Sequence, residues 1–405
     1  MNVLFLTLLD FDSIDERNIY TDLLREFAKH GHSLYVISPV EKRRKQKTKI
    51  LNTDKAIILK LKIGNTQKTK LLEKAISTIR IEPQFISGIK KYFSDVKFDL
   101  VIYSTPPITF CNAIEFVKKR DGAKTYLLLK DIFPQNAVDL GIVSKKGVKG
   151  IIYRVFRNKE KRLYRISDYI GCMSQANVDY ILKNNKDIKP EKVHVCPNSI
   201  EVIDMSVDEK TRKKIRNKYD IPLDKKVFVY GGNLGKPQGI DFMIECFKSQ
   251  QNSSDVFFLI VGDGTEFGKI EAYINKEKPQ NVKLLNKLPK EDFDKLVGAC
   301  DVGMVFLDYR FTIPNFPSRL LSYMQAKIPV FSVTDSNTDI GKIIVDGDFG
   351  WRCFSNNLDD FISLIELSKV ANKKMMGEKA WEYLNKEYSV EKSYKIIINN
   401  DWRVE

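Results

Sequence analysis

The chain has 405 residues, of which 43% are hydrophobic and 29% charged, with 14 Pro and 21 Gly. This composition excludes collagen-like, fibrous and disordered proteins, and the length predicts two or three domains. The formal net charge is +15, with +16 on residues 1–200 and −1 on residues 201–405. The first half is therefore expected to face an anionic partner: nucleic acid, a membrane surface or a phosphorylated substrate. A lysine-rich genome bias is the alternative explanation.

Six cysteines are scattered without short spacing, and there are only three histidines. This pattern favours free thiols in a reducing cytoplasm over a disulfide framework or zinc site, and it disfavours a Ser-His-Asp triad. The apolar opening Met1–Leu9 has no basic leader and is too short for a signal peptide. No apolar run reaches 18 residues, so no membrane-spanning helix is expected.

Short apolar strands alternate with amphipathic helices along the chain. The first half has predicted strands at Val3–Leu9, Ser33–Ser38, Leu100–Ser104, Thr125–Leu129, Ile170–Ser174 and Val193–Pro197. A polar loop, Asp10–Asn18, leads into a helix from Ile19 that stops at Gly31. The second half has predicted strands at Val227–Tyr230, Phe257–Val261, Val282–Leu285, Val302–Phe306 and Val330–Val333.

The alternation predicts an α/β protein with doubly wound parallel sheets. A polar stretch, Asn198–Lys225, separates the two sets of strands and is interpreted as a domain junction. We therefore expect two Rossmann-like lobes facing across a cleft, residues 1–200 and residues 201–384. Ligands should bind at the carboxyl ends of the strands.

Two basic segments interrupt the pattern in the first half. The run Lys42–Lys49 has six basic residues in eight, and a helix is predicted over Leu71–Phe93. The second segment, Lys145–Arg165, interleaves apolar and basic residues at helical spacing. Such a helix either lies on an anionic bilayer or packs against the protein's own core.

The second half contains three turns suited to an anionic ligand. VFVYGGNLGKPQG (227–239) leads from a strand through a glycine-rich turn to a helix, and VGDG (261–264) ends the next strand. In PNFPSRLLSYM (314–324), Arg319 lies in the first turn of a helix, where a cation opposes the helix dipole and favours an anionic ligand. Purely structural turns are the alternative for the two glycine-rich segments.

These segments, with LLNKLPKEDFDKLVGACDV, resemble glycosyltransferase family 4 in order and spacing. The first half resembles the same family through HGHSLYVIS, DLVIYSTPPIT, LKDIFPQNAVDLGIV and VCPNSI. The resemblance implies the two-lobed GT-B fold, with a C-terminal helix (about 385–405) that crosses back to the first lobe. It also implies retaining transfer of a sugar from a nucleotide sugar, usually UDP-linked.

The segment KDIFPQNAVDLG resembles the subgroup that builds bacterial surface polysaccharides such as capsule and O-antigen. This implies a polyprenyl-diphosphate-linked saccharide as acceptor, and a cytoplasmic enzyme peripherally bound to the inner face of the cell membrane. The basic first half would then face the anionic membrane, and no nucleic acid is expected.

The resemblance assigns donor-binding residues to the second half. Lys236 and Arg319 would hold the pyrophosphate, the Gly232–Gly235 turn and the Ser318 and Leu320 amides would support it, and Leu288 and Pro289 would line the nucleobase pocket. The full predicted donor set is Gly232, Asn233, Gly235, Lys236, Gly262, Asp263, Gly264, Leu288, Pro289, Asn315, Pro317, Ser318, Arg319, Leu320 and Ser322. No metal or other cofactor is expected, because cationic side chains would neutralise the leaving group.

The chain departs from the family pattern in two places. Pro314 and Ser322 occupy the positions of the two glutamates in the family's EX7E signature, and Asn233 and Gln238 occupy those of its Arg and Lys in the phosphate loop. Because of the second departure, we expect Lys236 to supply the positive charge of the phosphate loop. We interpret both as divergence of an active enzyme.

On the acceptor side, Asp131 follows a strand and is predicted to orient or deprotonate an acceptor hydroxyl. A carboxylate that caps the following turn is the alternative. Glu16, Arg17 and Thr105 are further candidates on the acceptor side. Asp131, Lys236 and Arg319 form the predicted catalytic set.

Two other functions fit parts of the sequence. A UDP-sugar epimerase of the same fold would need several acidic and histidine residues in the cleft, which three histidines supply poorly. A non-catalytic nucleic-acid-binding or regulatory protein would be favoured by aromatic residues beside the basic runs, but Lys42–Lys49 contains none.

Overall fold

The computed structural model describes residues 1–66, 69 and 71–399, without the side chains of residues 71, 72, 74, 75, 148 and 149. The chain forms two compact units, an N-terminal unit of Met1–Glu201 plus the segment from Val390, and a C-terminal unit of Val202–Ser389. The boundaries predicted from the sequence were after residues 200 and 384.

The N-terminal unit is built on an eight-stranded sheet. Its strands are β1 (Asn2–Leu6), β2 (Ser33–Glu41), β3 (Lys49–Asn52), β4 (Ile57–Ile63), β5 (Leu100–Ser104), β6 (Lys124–Leu129), β7 (Tyr169–Cys172) and β8 (Val193–Val195). They lie in the order β3-β4-β2-β1-β5-β6-β7-β8, and all neighbours are parallel except β3 and β4. The order reverses between β1 and β5, which is where a ligand is expected to bind in such a sheet.

Six α-helices precede the C-terminal unit in the described part of the chain. They are α1 (Ile19–Lys29), α2 (Leu71–Tyr92), α3 (Cys111–Asp121), α4 (Gln135–Asp139), α5 (Gly147–Ile166) and α6 (Gln175–Asn184). The Asn18 side chain caps α1 by accepting from the Tyr20 and Thr21 amides. The helix buries Leu23, Leu24 and Phe27 in the core of the unit, as its apolar spacing predicts.

The C-terminal unit has a six-stranded, fully parallel sheet. Its strands are β9 (Lys226–Asn233), β10 (Val256–Asp263), β11 (Val282–Asn286), β12 (Val302–Phe306), β13 (Val330–Thr334) and β14 (Gly350–Phe354), in the order β11-β10-β9-β12-β13-β14. Its helices are α7 (Glu209–Lys218), α8 (Ile240–Ser249), α9 (Phe267–Glu277), α10 (Lys290–Gly298), α11 (Arg319–Gln325), α12 (Ile340–Asp346), α13 (Leu358–Val370) and α14 (Lys373–Glu387). Side chains from the strands and helices share one buried core.

The predicted first strand was too long. β1 ends at Leu6 because side chains then take over the backbone hydrogen bonds: the Leu9 amide donates to the Thr7 hydroxyl, and the Ser38 hydroxyl donates to the Leu9 carbonyl. The strands β3, β4 and β14 were not predicted from the sequence. In β4 and β14 the apolar pattern is interrupted by Lys60, Lys62 and Arg352.

The stretch interpreted as a polar junction contains α7. This helix is held by Arg216, which is fully buried and donates to Asp301 at 2.7 Å and to the Ala299 carbonyl at 2.8 Å. Asp301 also accepts from Arg212 and Lys373, each at 2.7 Å. One buried carboxylate therefore connects α7, the start of β12 and the start of α14.

The predicted final helix is two helices. The chain breaks after α14, and α15 (Val390–Ile398) belongs to the N-terminal unit, where the Val390 amide donates to the Ile200 carbonyl. Tyr394 of α15 stacks on His30, with ring centroids 4.1 Å apart. The predicted end of this helix, at about residue 405, lies outside the described residues. Among the described helices, none combines the length and apolarity needed to cross a membrane.

Replacing Asp301 with Asn should destabilise the C-terminal unit by about 3–5 kcal/mol, because it leaves buried cations uncompensated. Burial acts to raise the pKa of Asp301, but Lys373 and Arg216 hold it below its ordinary value. The contribution of Asp301 should therefore be present at neutral pH and lost as the pH falls through the acid range. Urea unfolding at several pH values measures both effects.

The matched control is Asp348→Asn, which removes an exposed carboxylate paired with Lys379. Surface pairs contribute little, so this variant should unfold like the wild type. Equal stability of the Asp301 and Asp348 variants at neutral pH would contradict the role assigned to the buried carboxylate.

Candidate active site

The predicted donor residues lie at and just beyond the carboxyl ends of four strands of the C-terminal sheet. The strand order reverses between β9 and β12, the position where parallel sheets of this class bind ligands. The residues follow four strands: Gly232, Asn233, Gly235 and Lys236 at the end of β9, Gly262, Asp263 and Gly264 at β10, Leu288 and Pro289 after β11, and Asn315, Pro317, Ser318, Arg319, Leu320 and Ser322 after β12. The sheet thus brings segments distant in sequence to one edge.

Two glycines near the end of β9 leave room for side chains from other elements. The ring of Phe293 from α10 covers Gly231, and a Cβ there would lie 2.0 Å from a ring carbon. Gly232 has φ +124°, and a Cβ there would lie 3.3 Å from Nη2 of Arg319. Gly232 and Arg319, predicted from separate motifs, are therefore neighbours in the structure.

Arg319 lies at this edge with no carboxylate partner among the described residues. Its guanidinium lies over the Tyr230 ring, 4.4 Å from the centroid, and its Nη1 is buried without a hydrogen-bond acceptor among the described residues. A buried guanidinium nitrogen without an acceptor is costly, because it has lost its water and gained no partner. The stacking on Tyr230 fixes the guanidinium while leaving donors available to an anionic group.

The turn after β9 is held by its own side chains. Gln238, which occupies a position where the family has a cation, accepts from the Gly235 amide at 3.0 Å and from the Asn233 side chain at 2.9 Å. Lys236 lies in a 3-10 turn over Lys236–Gln238 and is exposed, and within the described part of the chain it pairs with no carboxylate. The turn is therefore rigid, and its one cation is available to a ligand.

The remaining predicted donor residues differ in their exposure to solvent. Asp263 and Pro289 are exposed, and Leu288 and Ser322 are half-buried. The amide of Leu320 was expected to support the pyrophosphate, but it donates to the Pro317 carbonyl at 3.3 Å. That expectation needs correction, because the first turn of α11 uses this amide internally.

Sequence reasoning missed two side chains that organise this edge. The Tyr323 hydroxyl accepts from the Gly231 amide at 3.2 Å and donates to the Met304 carbonyl at 2.9 Å, so it joins β9 to β12. Asp335 follows β13, and its Oδ1 accepts from the Asn337 and Thr338 amides. Burial raises the pKa of Asp335 to about 6. Tyr323 interrupts an apolar run and Asp335 follows one, and this is the only signal of their structural role in the sequence.

In the N-terminal unit, Asp131 lies just after β6, as predicted. Both its carboxylate oxygens accept from the Asn136 side chain at 2.8 Å, so it fastens the turn that leads into α4. Burial raises the pKa of Asp131 to about 6. The neighbouring Lys130, which the sequence analysis did not single out, has a pKa lowered by burial and reaches the Cys196 carbonyl at 3.5 Å.

The other predicted acceptor residues differ in accessibility. Thr105 is 1% exposed, and its hydroxyl accepts from the Lys130 amide and donates to the Asp131 carbonyl. It therefore joins the ends of β5 and β6, and the expectation that it faces an acceptor is wrong. Glu16 is exposed and accepts from the Asp12 amide, and Arg17 is half-buried.

Lys60, also missed from the sequence, holds the loop after β1. It is completely buried in β4, and its Nζ contacts Asp10 at 2.5 Å, Asp12 at 3.1 Å and the Phe11 carbonyl at 2.9 Å. Two lysines, Lys60 and Lys62, within the otherwise apolar run of residues 57–63 were the available signal. This buried cation fixes the part of the carboxyl edge where β1 ends.

Among the described residues, no group of three or more His, Cys, Asp or Glu side chains is arranged to hold a metal ion. All six cysteines are free and buried.

Replacing Lys60 with Met should loosen the loop over residues 9–12 and cost about 2 kcal/mol of stability, because the Phe11 carbonyl and two carboxylates lose their cation. Amide hydrogen exchange should accelerate in this loop more than in the rest of the sheet. Lys62→Met in the same strand is the control, since Lys62 is exposed. Unchanged exchange in the loop of the Lys60 variant would show that other contacts hold it.

Two sequence families match the chain. Residues 18–202 match Glycosyltransferase Family 4, and residues 211–380 match Glycosyl transferases group 1. A Pseudomonas aeruginosa protein named "Probable glycosyltransferase WbjE" is 24% identical over 341 residues, covering 80% of this chain and 81% of that protein.

Solved structures share the fold at low sequence identity. Anabaena Alr3699/HepE in complex with UDP and glucose superposes with a TM-score of 0.70 at 13% identity, over 99% of each chain. WaaG, a glycosyltransferase involved in lipopolysaccharide biosynthesis, superposes with a TM-score of 0.67 at 15% identity, over 98% of this chain and 100% of that one. The chain therefore carries a Glycosyltransferase Family 4 domain followed by a Glycosyl transferases group 1 domain, has the GT-B fold and is a glycosyltransferase.

Proposed function

We propose that this glycosyltransferase transfers a sugar from a nucleotide sugar, most simply a UDP-sugar, to a lipid-linked saccharide, with retention of anomeric configuration. The C-terminal unit would bind the donor and the N-terminal unit the acceptor. The product would be an intermediate of a bacterial surface polysaccharide such as a capsule or O-antigen.

The buried, unpartnered Nη1 of Arg319 carries the donor assignment. When the sugar leaves, negative charge develops on the diphosphate, and a fixed guanidinium beside an open glycine turn stabilises that charge. Lys236 on the facing turn supplies a second cation. These two residues would therefore act on the leaving group, in place of the cation pair that the family has at Asn233 and Gln238.

The identity of the nucleotide rests on similarity of fold. The HepE structure of the same fold was solved with UDP and glucose bound, which supports a UDP-sugar here. Leu288 and Pro289, after β11, would lie beside the base. The sugar itself would be a hexose or an N-acetylated sugar.

The acceptor assignment rests on the N-terminal unit. Asp131 lies at the carboxyl edge of β6 and would bind or deprotonate the acceptor hydroxyl in its ionised form. A lipid-linked acceptor is supported by the charge of +16 on residues 1–200, which suits an enzyme working at the inner, anionic face of the cell membrane. The shared fold with WaaG, which takes part in lipopolysaccharide biosynthesis, supports a product of this class.

Replacing Arg319 with Gln should weaken UDP binding and reduce kcat by about 100-fold, because the diphosphate loses a charge-assisted donor. Thermal unfolding with and without UDP measures the binding, and sugar release from a UDP-sugar measures turnover. Lys295→Gln removes the same charge from an exposed position of α10 and is the control. Normal UDP stabilisation and turnover in the Arg319 variant would remove this residue from the site.

The raised pKa of Asp131 predicts a pH dependence. Because the carboxyl group ionises only above about pH 6, kcat should fall as the pH is lowered through that value. Asp131→Asn should lower kcat at least about tenfold and abolish this acid limb, with UDP binding unchanged. Asp179→Asn, which alters an exposed carboxylate of α6, is the control. An acid limb that persists in the Asp131 variant belongs to another group.

A further inference from the structure

The Asp131 carboxylate is held by a neutral donor rather than by a cation. Nδ2 of Asn136 donates to both carboxylate oxygens, at 2.8 Å each. Within the part of the chain that the structure describes, no lysine, arginine or histidine forms an ion pair with Asp131. The adjacent Lys130 instead reaches the Cys196 carbonyl, at 3.5 Å. The amide of Asn136 is therefore the side-chain group that determines how this carboxylate is oriented.

A buried hydroxyl fixes the backbone of Asp131. Oγ1 of Thr105 accepts from the Lys130 amide at 3.0 Å and from the Asp131 amide at 3.2 Å, and it donates to the Asp131 carbonyl at 3.0 Å. With the backbone held in this way, the orientation of the Asp131 side chain is what remains to be fixed. The two bonds from Asn136 fix it, and a binding or catalytic group needs such support from its neighbours.

The turn that carries Asn136 has backbone hydrogen bonds of its own. The Asn136 amide donates to the Ile132 carbonyl at 3.0 Å, the Ala137 amide to the Pro134 carbonyl at 3.1 Å, and the Leu140 amide to the Asn136 carbonyl at 3.3 Å. An asparagine that stabilises a turn bonds through its side chain to nearby backbone groups. The Asn136 side chain bonds to the Asp131 carboxylate instead, so it acts on the carboxylate more than on the turn.

The Asn136 amide is satisfied on one side only. Its Oδ1 is buried and has no hydrogen-bond partner among the described residues. A buried acceptor without a donor destabilises a fold. The opposite amide orientation would place Oδ1 against the carboxylate, where two acceptors repel each other, so Nδ2 faces Asp131. The arrangement thus favours the carboxylate at the expense of stability, which is typical of functional sites.

The ionisation of Asp131 depends on the same amide. Burial raises the pKa of Asp131 to about 6, whereas hydrogen bonds from the Ile132 amide and the Asn136 side chain act to lower it. A donor that bonds to both oxygens of a carboxylate stabilises the charged form more than the neutral form. Without Asn136, the carboxyl group would therefore stay protonated to a higher pH.

The titratable groups around Asp131 do not replace this donor. Burial, and then the charge of Asp131, act to raise the pKa of Tyr20 in α1 and of Glu160 in α5. Glu160 is paired with Arg157 at 2.6 Å. Burial lowers the pKa of Lys130, which disfavours its charged form. The neighbours of Asp131 are thus a phenol, an acid and a lysine whose charge is disfavoured, and hydrogen bonds are left to stabilise its ionised form.

We infer that Asn136 is a positioning residue of the acceptor site, whose amide keeps the Asp131 carboxylate ionised and in one orientation. This inference rests on the proposed role of Asp131 and deepens it by naming the group that prepares the carboxylate. Each carboxylate oxygen has more than one acceptor site, so both oxygens can still accept from an acceptor hydroxyl while Asn136 is bound.

A titration of Asp131 tests the inference without any substrate. The full-length protein is labelled with carbon-13 at aspartate carboxyl groups, and the Asp131 signal is assigned by its absence in Asp131→Asn. In Asn136→Leu the pKa of Asp131 should rise by about one pH unit, because a hydrogen bond to the charged form is lost. The acid limb of kcat for sugar release from UDP-glucose should move upward equally, so kcat at pH 6 should fall about fivefold and recover as the pH rises.

A second variant preserves the shape of the site. Asn136→Asp is isosteric, and it places a carboxylate where the donor was. Two adjacent carboxylates disfavour each other's charge, so the pair should titrate at a higher apparent pKa than Asp131 alone. Gln135→Leu is the matched control, since Gln135 of the same helix donates to the Asp139 carboxylate at 2.6 Å. It should leave the pKa of Asp131 and the acid limb unchanged.

The outcomes separate this inference from the proposed function. An Asp131 pKa that is unchanged in both Asn136 variants, or that rises equally in Gln135→Leu, would overturn the inference. A kcat that is lowered equally at every pH would also overturn it, because that result indicates damage to the fold. A pKa that rises in Asn136→Leu while the acid limb keeps its wild-type position would instead overturn the proposed use of Asp131 on the acceptor.

Discussion

The site of the C-terminal unit depends on how closely two strands approach each other at their carboxyl ends. A Cβ on Gly262 of β10 would lie 1.9 Å from the Gly232 carbonyl oxygen of β9, so the two backbones meet where no side chain fits. Because of this closeness, the backbone at this end of β9 is not covered by side chains of its own. Phe293 then covers it from one side, and Arg319 reaches it from the other. A larger residue at position 262 would separate the strands and displace the surface on which Arg319 rests.

The sequence predicts the fold best where an element is uniformly apolar. Leu100–Ser104 and Val302–Phe306 have the predicted bounds, and the start of α1 follows from its periodicity. Two of the missed elements, β4 and α7, contain a buried charge, Lys60 and Arg216, whose partners are distant in sequence. Arg216 of α7 is balanced by Asp301, 85 positions away, and no local pattern reveals such a pair. A charged segment then has the composition of a linker although it folds into the core.

The functional site, like the fold, could be predicted from the sequence only in part. Motifs at strand ends locate the correct loops, because a parallel sheet gathers them at one edge. They do not reveal whether a polar group is already used within the protein. The Thr105 hydroxyl and the Leu320 amide are both taken by neighbouring backbone. The ammonium of Lys60 is used to hold a loop, whereas Nη1 of Arg319 is buried without a partner among the described residues. Only the folded structure distinguishes these two cations.

The position of α15 has a consequence for how the chain folds during synthesis. This helix completes the core of the N-terminal unit, where Ile397 is fully buried and Tyr394 packs on Phe27. The N-terminal unit therefore leaves the ribosome first but completes its fold last, because it needs α15. The whole C-terminal unit has been synthesised before α15. Until α15 arrives, Phe27 of α1 lacks its contact with Tyr394. A chain truncated after α14 would carry a complete donor unit but an N-terminal unit prone to aggregate.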